Sequence, residues 1–185
     1  MSMARTVLIT GANRGIGRAM LAACRARGDA AAGTARSEAG RAEIAGLGAE
    51  AIALDAADPA SATAAAKAWG DRPLDLLVCN AGALIGRGGI DDPAFDRDAW
   101  ATQLMTNVAG PFFTVRAFLP ALERAGGRVA IISSQMGISS RPKGSAYAYR
   151  AAKAGATNLA MNLAAELAPR GIAVGAYHPG WVRTD

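Results

Sequence analysis

Residues 5–17 read Arg-Thr-Val-Leu-Ile-Thr-Gly-Ala-Asn-Arg-Gly-Ile-Gly, a short apolar run that turns through glycines into a helix-like segment over 16–27. The run 5–10 has the length and β-branched content of a strand. Gly11, Gly15 and Gly17 permit a tight turn and close backbone approach. A helix beginning there turns free N–H groups and the positive end of its dipole toward an anion. The spacing is Gly-x-x-x-Gly-x-Gly rather than Gly-x-Gly-x-x-Gly, yet its place between strand and helix is that of a pyrophosphate cradle. On a helical wheel Arg14, Arg18 and Arg25 share one stripe, while Ile16, Ala19, Met20 and Ala23 fall opposite and are expected to face inward.

Outward from this stretch the pattern repeats. Strand-like runs at 30–35, 51–54, 74–79, 128–132 and 172–177 alternate with helix-like segments. Asp58-Pro59 opens a helix with a capping side chain and a proline at the first turn. Long helices are expected over 98–124 and 145–168, the second closed by Pro169 and Gly171. Continuous apolar strands separated by helices give βαβ units and an α/β doubly wound parallel sheet, with ligands at the carboxyl ends of its strands. Residues 1–185 are expected to form one domain, with a Gly/Asp-rich loop at 86–93.

Composition narrows the classes. Apolar residues make up 51%, which argues against disorder, and no apolar run reaches the roughly 18 residues of a membrane span. Cys24 and Cys79 are too few for a disulfide scaffold or zinc site, so no metal is expected and a cytoplasmic protein is. The net charge of +5 comes from scattered arginines, and aromatics are 5%, so a nucleic-acid partner is not expected.

The chemistry lies further along. Tyr149 and Lys153 stand four residues apart and share a helix face. An adjacent ammonium favours the phenolate and draws the phenol toward working pH. Ser134 follows the run 128–132, which puts its hydroxyl at the carboxyl end of the sheet, within reach of a carbonyl or its oxyanion. Ser133 is the rival, with a structural role expected. Tyr147 competes with Tyr149 but has no lysine four residues on. After the second strand comes Arg36, with no acid before Glu38; Arg14 and Arg36 could converge on a 2′-phosphate, which favours NADP(H) over NAD(H). Two solvated arginines are the plain alternative. His178 is read as a loop residue near the cofactor.

In this order the pieces resemble the short-chain dehydrogenase/reductase family, and in local detail its small C-factor-like and sniffer-like carbonyl reductases. The resemblance implies a Rossmann fold. It matches residues 10–17 to the cofactor loop, which includes Asn13, Arg14 and Ile16. It implies that Asp55 binds the adenine amino group. Cys79-Asn80-Ala81-Gly82 is similar to the motif after the fourth strand, with Cys in place of its first Asn. Asn107 is matched to the catalytic Asn, which holds a water in a proton relay from the lysine. Ser134, Tyr149 and Lys153 are matched to the catalytic triad. Pro179, Gly180, Val182 and Thr184 are matched to the segment around the nicotinamide.

The expected activity is NAD(P)H-dependent reduction of a small carbonyl compound, or oxidation of the alcohol, at a Ser-Tyr-Lys-Asn site. Its alternative is a cofactor-binding signalling or scaffold protein with little turnover. Ala83, Leu84, Gln135, Met136, Tyr147 and Trp181 are candidate pocket lining. A homodimer or homotetramer paired through the two long helices is implied. Two departures stand out. The gap from Ser134 to Tyr149 is longer than the family's, so 138–146 is expected to bulge. The family's C-terminal lid, further helix and seventh strand are expected to be lacking.

Overall fold

The computed structural model describes residues 4–180 and Val182. The chain runs β1 (Thr6–Ile9), α1 (Gly15–Ala26), β2 (Ala30–Ala35), α2 (Glu38–Gly46), β3 (Glu50–Ala53), α3 (Pro59–Trp69), β4 (Leu76–Cys79), α4 (Arg97–Leu104), a π-helical turn (Met105–Ala109), α5 (Gly110–Ala125), β5 (Arg128–Ile132), a 3₁₀ turn (Gln135–Gly137), α6 (Tyr147–Leu167), a second 3₁₀ turn (Ala168–Arg170) and β6 (Ala173–Tyr177). All strand pairs are parallel, in the order β3-β2-β1-β4-β5-β6. The order reverses between β1 and β4, so a crevice opens at their carboxyl ends. This is the doubly wound Rossmann arrangement expected from the alternating pattern.

Each strand coincides with an apolar run because both sheet faces are covered over most of their area. On one face α3, α5 and α6 enclose Leu8, Leu77, Phe118, Ile131 and Leu163. On the other, α1 and α2 enclose Val7, Ile9, Leu21, Ile44 and Val78. The Ala/Gly content of β2, poor in strand propensity, has a packing reason. A Cβ on Gly33 would lie 2.8 Å from the Ala12 Cβ and 3.0 Å from Leu21 Cδ2, so small residues let α1 close on the sheet.

Four details differ from the sequence reading. The segment 38–46, given no element there, is α2; Ser37 caps it by accepting from the Gly40 N–H, and only Gly40 and Ile44 are buried. In α1 the inward residues are Gly17, Leu21 and Cys24, while Ala19 and Ala23 are exposed. The buried stripe follows i, i+4, i+7 from Gly17 because the helix must press its first turn onto the cradle. The stretch 98–124 is one path but not one helix, since the π-helical turn divides it. The helix expected over 145–168 starts at Tyr147 rather than 145, after Ala146 takes a left-handed backbone conformation (φ 50°).

Over β4, β5 and β6 the second face carries no helix among the described residues. A groove of about 770 Å³ runs there from Arg5 and Asp75 to Ile16 and Pro179. No helix among the described residues is long and apolar enough to cross a membrane.

Candidate active site

The cradle is built by hydrogen bonds that leave its outer face open. Thr10 Oγ1 accepts from the N–H groups of Asn80 and Ala81, both at 3.0 Å. The Asn80 amide donates to the carbonyls of Thr10 (3.0 Å) and Gly11 (3.1 Å). Thr34, fully buried, accepts at its carbonyl from Ala12 N–H (3.0 Å). A Cβ on Gly17 would sit 2.3 Å from the Gly11 carbonyl oxygen and 2.5 Å from Asn80 Nδ2, so glycine is obligatory. Asn80, assigned to the cofactor from sequence, turns its side chain inward as a brace.

The N-termini of α2, α3 and α4 are capped by Ser37, Asp58 and Asp96. That of α1 has no side-chain cap and no acid in its first turn. Its free N–H groups and positive dipole end therefore face the crevice unanswered, which fits an anion such as a pyrophosphate. Gly15 and Ile16 begin this turn, and Asn13 borders Gly40 of α2. Arg14 and Arg36 are both exposed, and neither makes an ion pair among the described residues. Asp55 accepts from the Ala57 N–H at 2.9 Å through Oδ1, and its own N–H donates to Ser61 Oγ at 2.9 Å, which fixes the turn after β3.

Four elements meet beyond β4. Asn107 is buried in the π-helical turn; its amide donates to the carbonyls of Ala83 (2.8 Å) and Gln103 (2.9 Å), and Oδ1 accepts from Ala83 N–H (3.3 Å). One turn earlier Gln103, also fully buried, pairs both ways with the Ile85 backbone at 3.0 and 3.1 Å. Together they pin residues 83–85 behind the half-buried Ala81 and the exposed Gly82. π-turns occur disproportionately at functional sites. Here the sequence supplies a cause: Pro111 has no N–H for the Asn107 carbonyl four residues back. Cys79 is buried, and its thiol is pushed up to about 12, so it is inert packing.

Ser134 caps the 3₁₀ turn after β5, and its hydroxyl lies close enough to Tyr149 to favour the phenolate. Ser134 Oγ accepts from the Met136 N–H at 3.1 Å. Ser133 is engaged structurally, as expected, donating to the Lys153 carbonyl (2.9 Å) and lying 2.8 Å from Thr157 Oγ1. Lys153 is buried; its Nζ donates to the Ile132 carbonyl at 2.8 Å and lies 5.6 Å from the Tyr149 ring centre. Burial pulls the Lys153 ammonium down to about 8. Burial also raises the Tyr149 phenol above its ordinary value, opposed by the Ser134 hydroxyl and the charge of Arg87. The sequence reading had Lys153 drawing the phenol down. Instead desolvation prevails, because the ammonium is held against a carbonyl and over the ring face.

Tyr147 packs edge-on against Phe95, centroids 6.0 Å apart. Pro179 and His178 line the upper end of the groove, and Gly180 and Val182 are exposed. Thr184 and Trp181 lie outside the described residues. Gln103, Arg87 and Arg150 were not singled out from sequence. Gln103 acts on the Ile85 backbone, Arg87 through its charge on Tyr149 and Arg150 on the loop before its own helix, and nothing in local spacing reveals such contacts.

Comparison with known proteins identifies the family. The family model for short chain dehydrogenases matches residues 5–185. The chain is 35% identical over 189 residues to 3-oxoacyl-[acyl-carrier-protein] reductase FabG of Escherichia coli K12, an alignment covering 98% of this chain and 75% of the relative. It is 37% identical over 196 residues to the L-rhamnose 1-dehydrogenase (NAD(P)(+)) of Azotobacter vinelandii, covering 98% and 74%. Among solved structures, the Pseudomonas aeruginosa RhlG complex with NADP superposes with a TM-score of 0.89 at 32% identity, covering 99% of this chain and 75% of that one. A short chain dehydrogenase of Burkholderia cenocepacia in complex with NADP gives 0.86 at 27%, covering 98% and 74%. With its sequence matched from residue 5 onward, this chain belongs to the short-chain dehydrogenase family.

Proposed function

We propose that the protein is an NADP(H)-dependent carbonyl reductase of the C-factor-like and sniffer-like kind, working on a small, mostly apolar carbonyl compound. The observation that carries this reading is the juxtaposition, at one end of the sheet, of an uncapped α1 N-terminus with Ser134, Tyr149 and Lys153. Gly11, Gly15, Ile16 and Gly17 would hold the pyrophosphate, with Asn13, Ala81, Gly82, Pro179, Gly180, Val182 and Thr184 along the dinucleotide. Asp55 would receive the adenine, and Arg14 and Arg36 the 2′-phosphate.

When bound, the reduced nicotinamide supplies the hydride that adds to the carbonyl carbon. Tyr149, protonated at working pH, gives its phenolic proton to the carbonyl oxygen, and the product is the alcohol. Ser134 holds that oxygen through its hydroxyl. Lys153 holds the nicotinamide ribose and returns a proton toward Tyr149, with a water on Asn107 supplying Lys153. The apolar residues Ala83, Leu84 and Met136 favour a hydrophobic substrate. The two long-helix regions expose Leu104, Met105, Phe112 and Met161, and pairing through them gives a homodimer or homotetramer.

The test is a fluorescence titration with NADPH and NADH, followed by NADPH oxidation against aldehydes, ketones and quinones. Tighter binding of NADPH with turnover on one class supports the reading. Binding without turnover on any class would return the protein to the signalling alternative, and no binding would overturn both.

A further inference from the structure

Between Ser134 and Tyr149 the chain makes a wide excursion, and one side chain gathers it. Arg150, the residue after Tyr149, is half-buried and makes no ion pair among the described residues. Its Nη1 donates to the Met136 carbonyl and the Arg141 carbonyl, both at 3.1 Å, and its Nε donates to the Ser145 carbonyl at 2.9 Å. Three acceptors from the beginning, middle and end of the excursion thus converge on one guanidinium. Only arginine offers several donors in a rigid planar fork.

The contact reaches the reacting groups in one step. Met136 presents its carbonyl to Arg150 and its N–H to Ser134 Oγ at 3.1 Å. The same 3₁₀ turn is pressed on α6, since a Cβ on Gly137 would lie 2.6 Å from the Ala154 nitrogen. Arg150 therefore holds the turn at the Met136 carbonyl and the Lys153–Ala154 backbone packs against its last residue, Gly137, while Ser134 caps its start. Besides the 3₁₀ turn's own bonds, from the Gly137 N–H to the Ser134 carbonyl and from the Ile138 N–H to the Gln135 carbonyl, the excursion is held by a turn from the Arg141 N–H to the Ile138 carbonyl and one bond from the Ala146 N–H to the Gly88 carbonyl.

We infer that Arg150 is a positioning residue which, through Met136, sets the Ser134 hydroxyl against the Tyr149 phenol. The inference rests on the carbonyl-reducing reading for its kinetic consequence but not for its structural one. Without the guanidinium, three carbonyls turn to water, the turn loosens, and the hydroxyl that favours the phenolate is no longer held in place.

The chain has three tyrosines. In a Tyr147→Phe/Tyr177→Phe background, phenolate absorbance therefore titrates Tyr149 alone, whether or not a substrate is known. Arg150→Met is expected to raise that midpoint by about one pH unit, the loss of one hydrogen bond to a charged group. Ser134→Ala should do the same, and the double variant should add little, because both act through one contact. If Arg150→Met does not fold by circular dichroism, Arg150→Lys, which keeps the charge but not the fork, is expected to shift in the same direction. In turnover, Arg150→Met should lower kcat about tenfold to a hundredfold with NADPH affinity unchanged, as for a misplaced reacting group. A folded Arg150 variant with an unmoved phenol midpoint, or shifts that simply add in the double variant, overturns the inference. Absence of turnover in the unaltered protein overturns the functional reading instead, and the absorbance titration still decides the role of Arg150.

Discussion

The Lys153 ammonium stands 5.6 Å over the ring of Tyr149 while its hydrogen bond goes to the Ile132 carbonyl, 2.8 Å away. A charge so placed is costly. Burial lowers its pKa from 10.5 to about 8, so near neutral pH it is charged in folded and unfolded chains alike, and only the folded one bears the desolvation. Between those two values the unfolded chain binds more protons, and the cost fades as pH rises.

Lys153→Met should therefore stabilise the protein at pH 7.5 by about 1–3 kcal/mol, less the loss of one bond to Ile132, while removing turnover. Urea unfolding at pH 7.5 and 9.5 checks this, because the gap between the two proteins should narrow at the higher pH. A gap that widens would show that the folded lysine is better solvated than its burial indicates.

Tyr149→Phe should leave NADPH binding intact and lower turnover about a hundredfold to ten-thousandfold, the usual contribution of a general acid. The raised phenol sets a further expectation. Carbonyl reduction, which needs the protonated phenol, should hold up across neutral pH and fall only on the alkaline side. Alcohol oxidation, which needs the phenolate, should rise over the same range. Steady-state rates in both directions from pH 6 to 10 test the pair of slopes.

Arg36 follows β2 and is exposed, with its carbonyl accepting from Arg41 at 3.4 Å and its guanidinium in no ion pair among the described residues. Arg36→Ala should weaken NADPH about tenfold to a hundredfold, the loss of a charge-assisted contact, and leave NADH nearly unchanged. Equal loss for both cofactors would place Arg36 outside the 2′-phosphate site.

Much of this was legible in the sequence, for physical reasons that differ by element. The strands of a sheet covered on two faces must be apolar throughout, so runs such as 128–132 announced themselves. The cradle needed glycines at a turn, and Tyr149 and Lys153 needed one helix face. The 38–46 helix escaped because it buries only Gly40 and Ile44, which leaves it no apolar stripe. The inward face of α1 was misread because Gly17, where backbone must touch backbone, carries no apolar signal. The direction of the Tyr149 shift depends on desolvation against a charge held elsewhere, and only three-dimensional placement weighs those. Clasps such as Gln103 on Ile85, or Arg150 on three carbonyls, join residues through loops whose course no spacing encodes.

Pro111 follows Asn107 by four, where a regular helix would present an N–H to the Asn107 carbonyl, and the helix opens into a π-helical turn at this point. The Asn107 side chain is already engaged by Ala83 and Gln103. If Asn107 serves a water, its backbone carbonyl is the group left to do so, and proline is what leaves that carbonyl without its ordinary helical donor. Pro111→Ala restores the donor. Thermal stability should hold or rise, NADPH affinity should stay unchanged, and kcat should fall about tenfold as resupply of the Lys153 proton slows. A solvent deuterium isotope effect larger than in the unaltered protein would identify the proton relay as the slowed step. An unaltered kcat and isotope effect would mean that the relay water rests on another group.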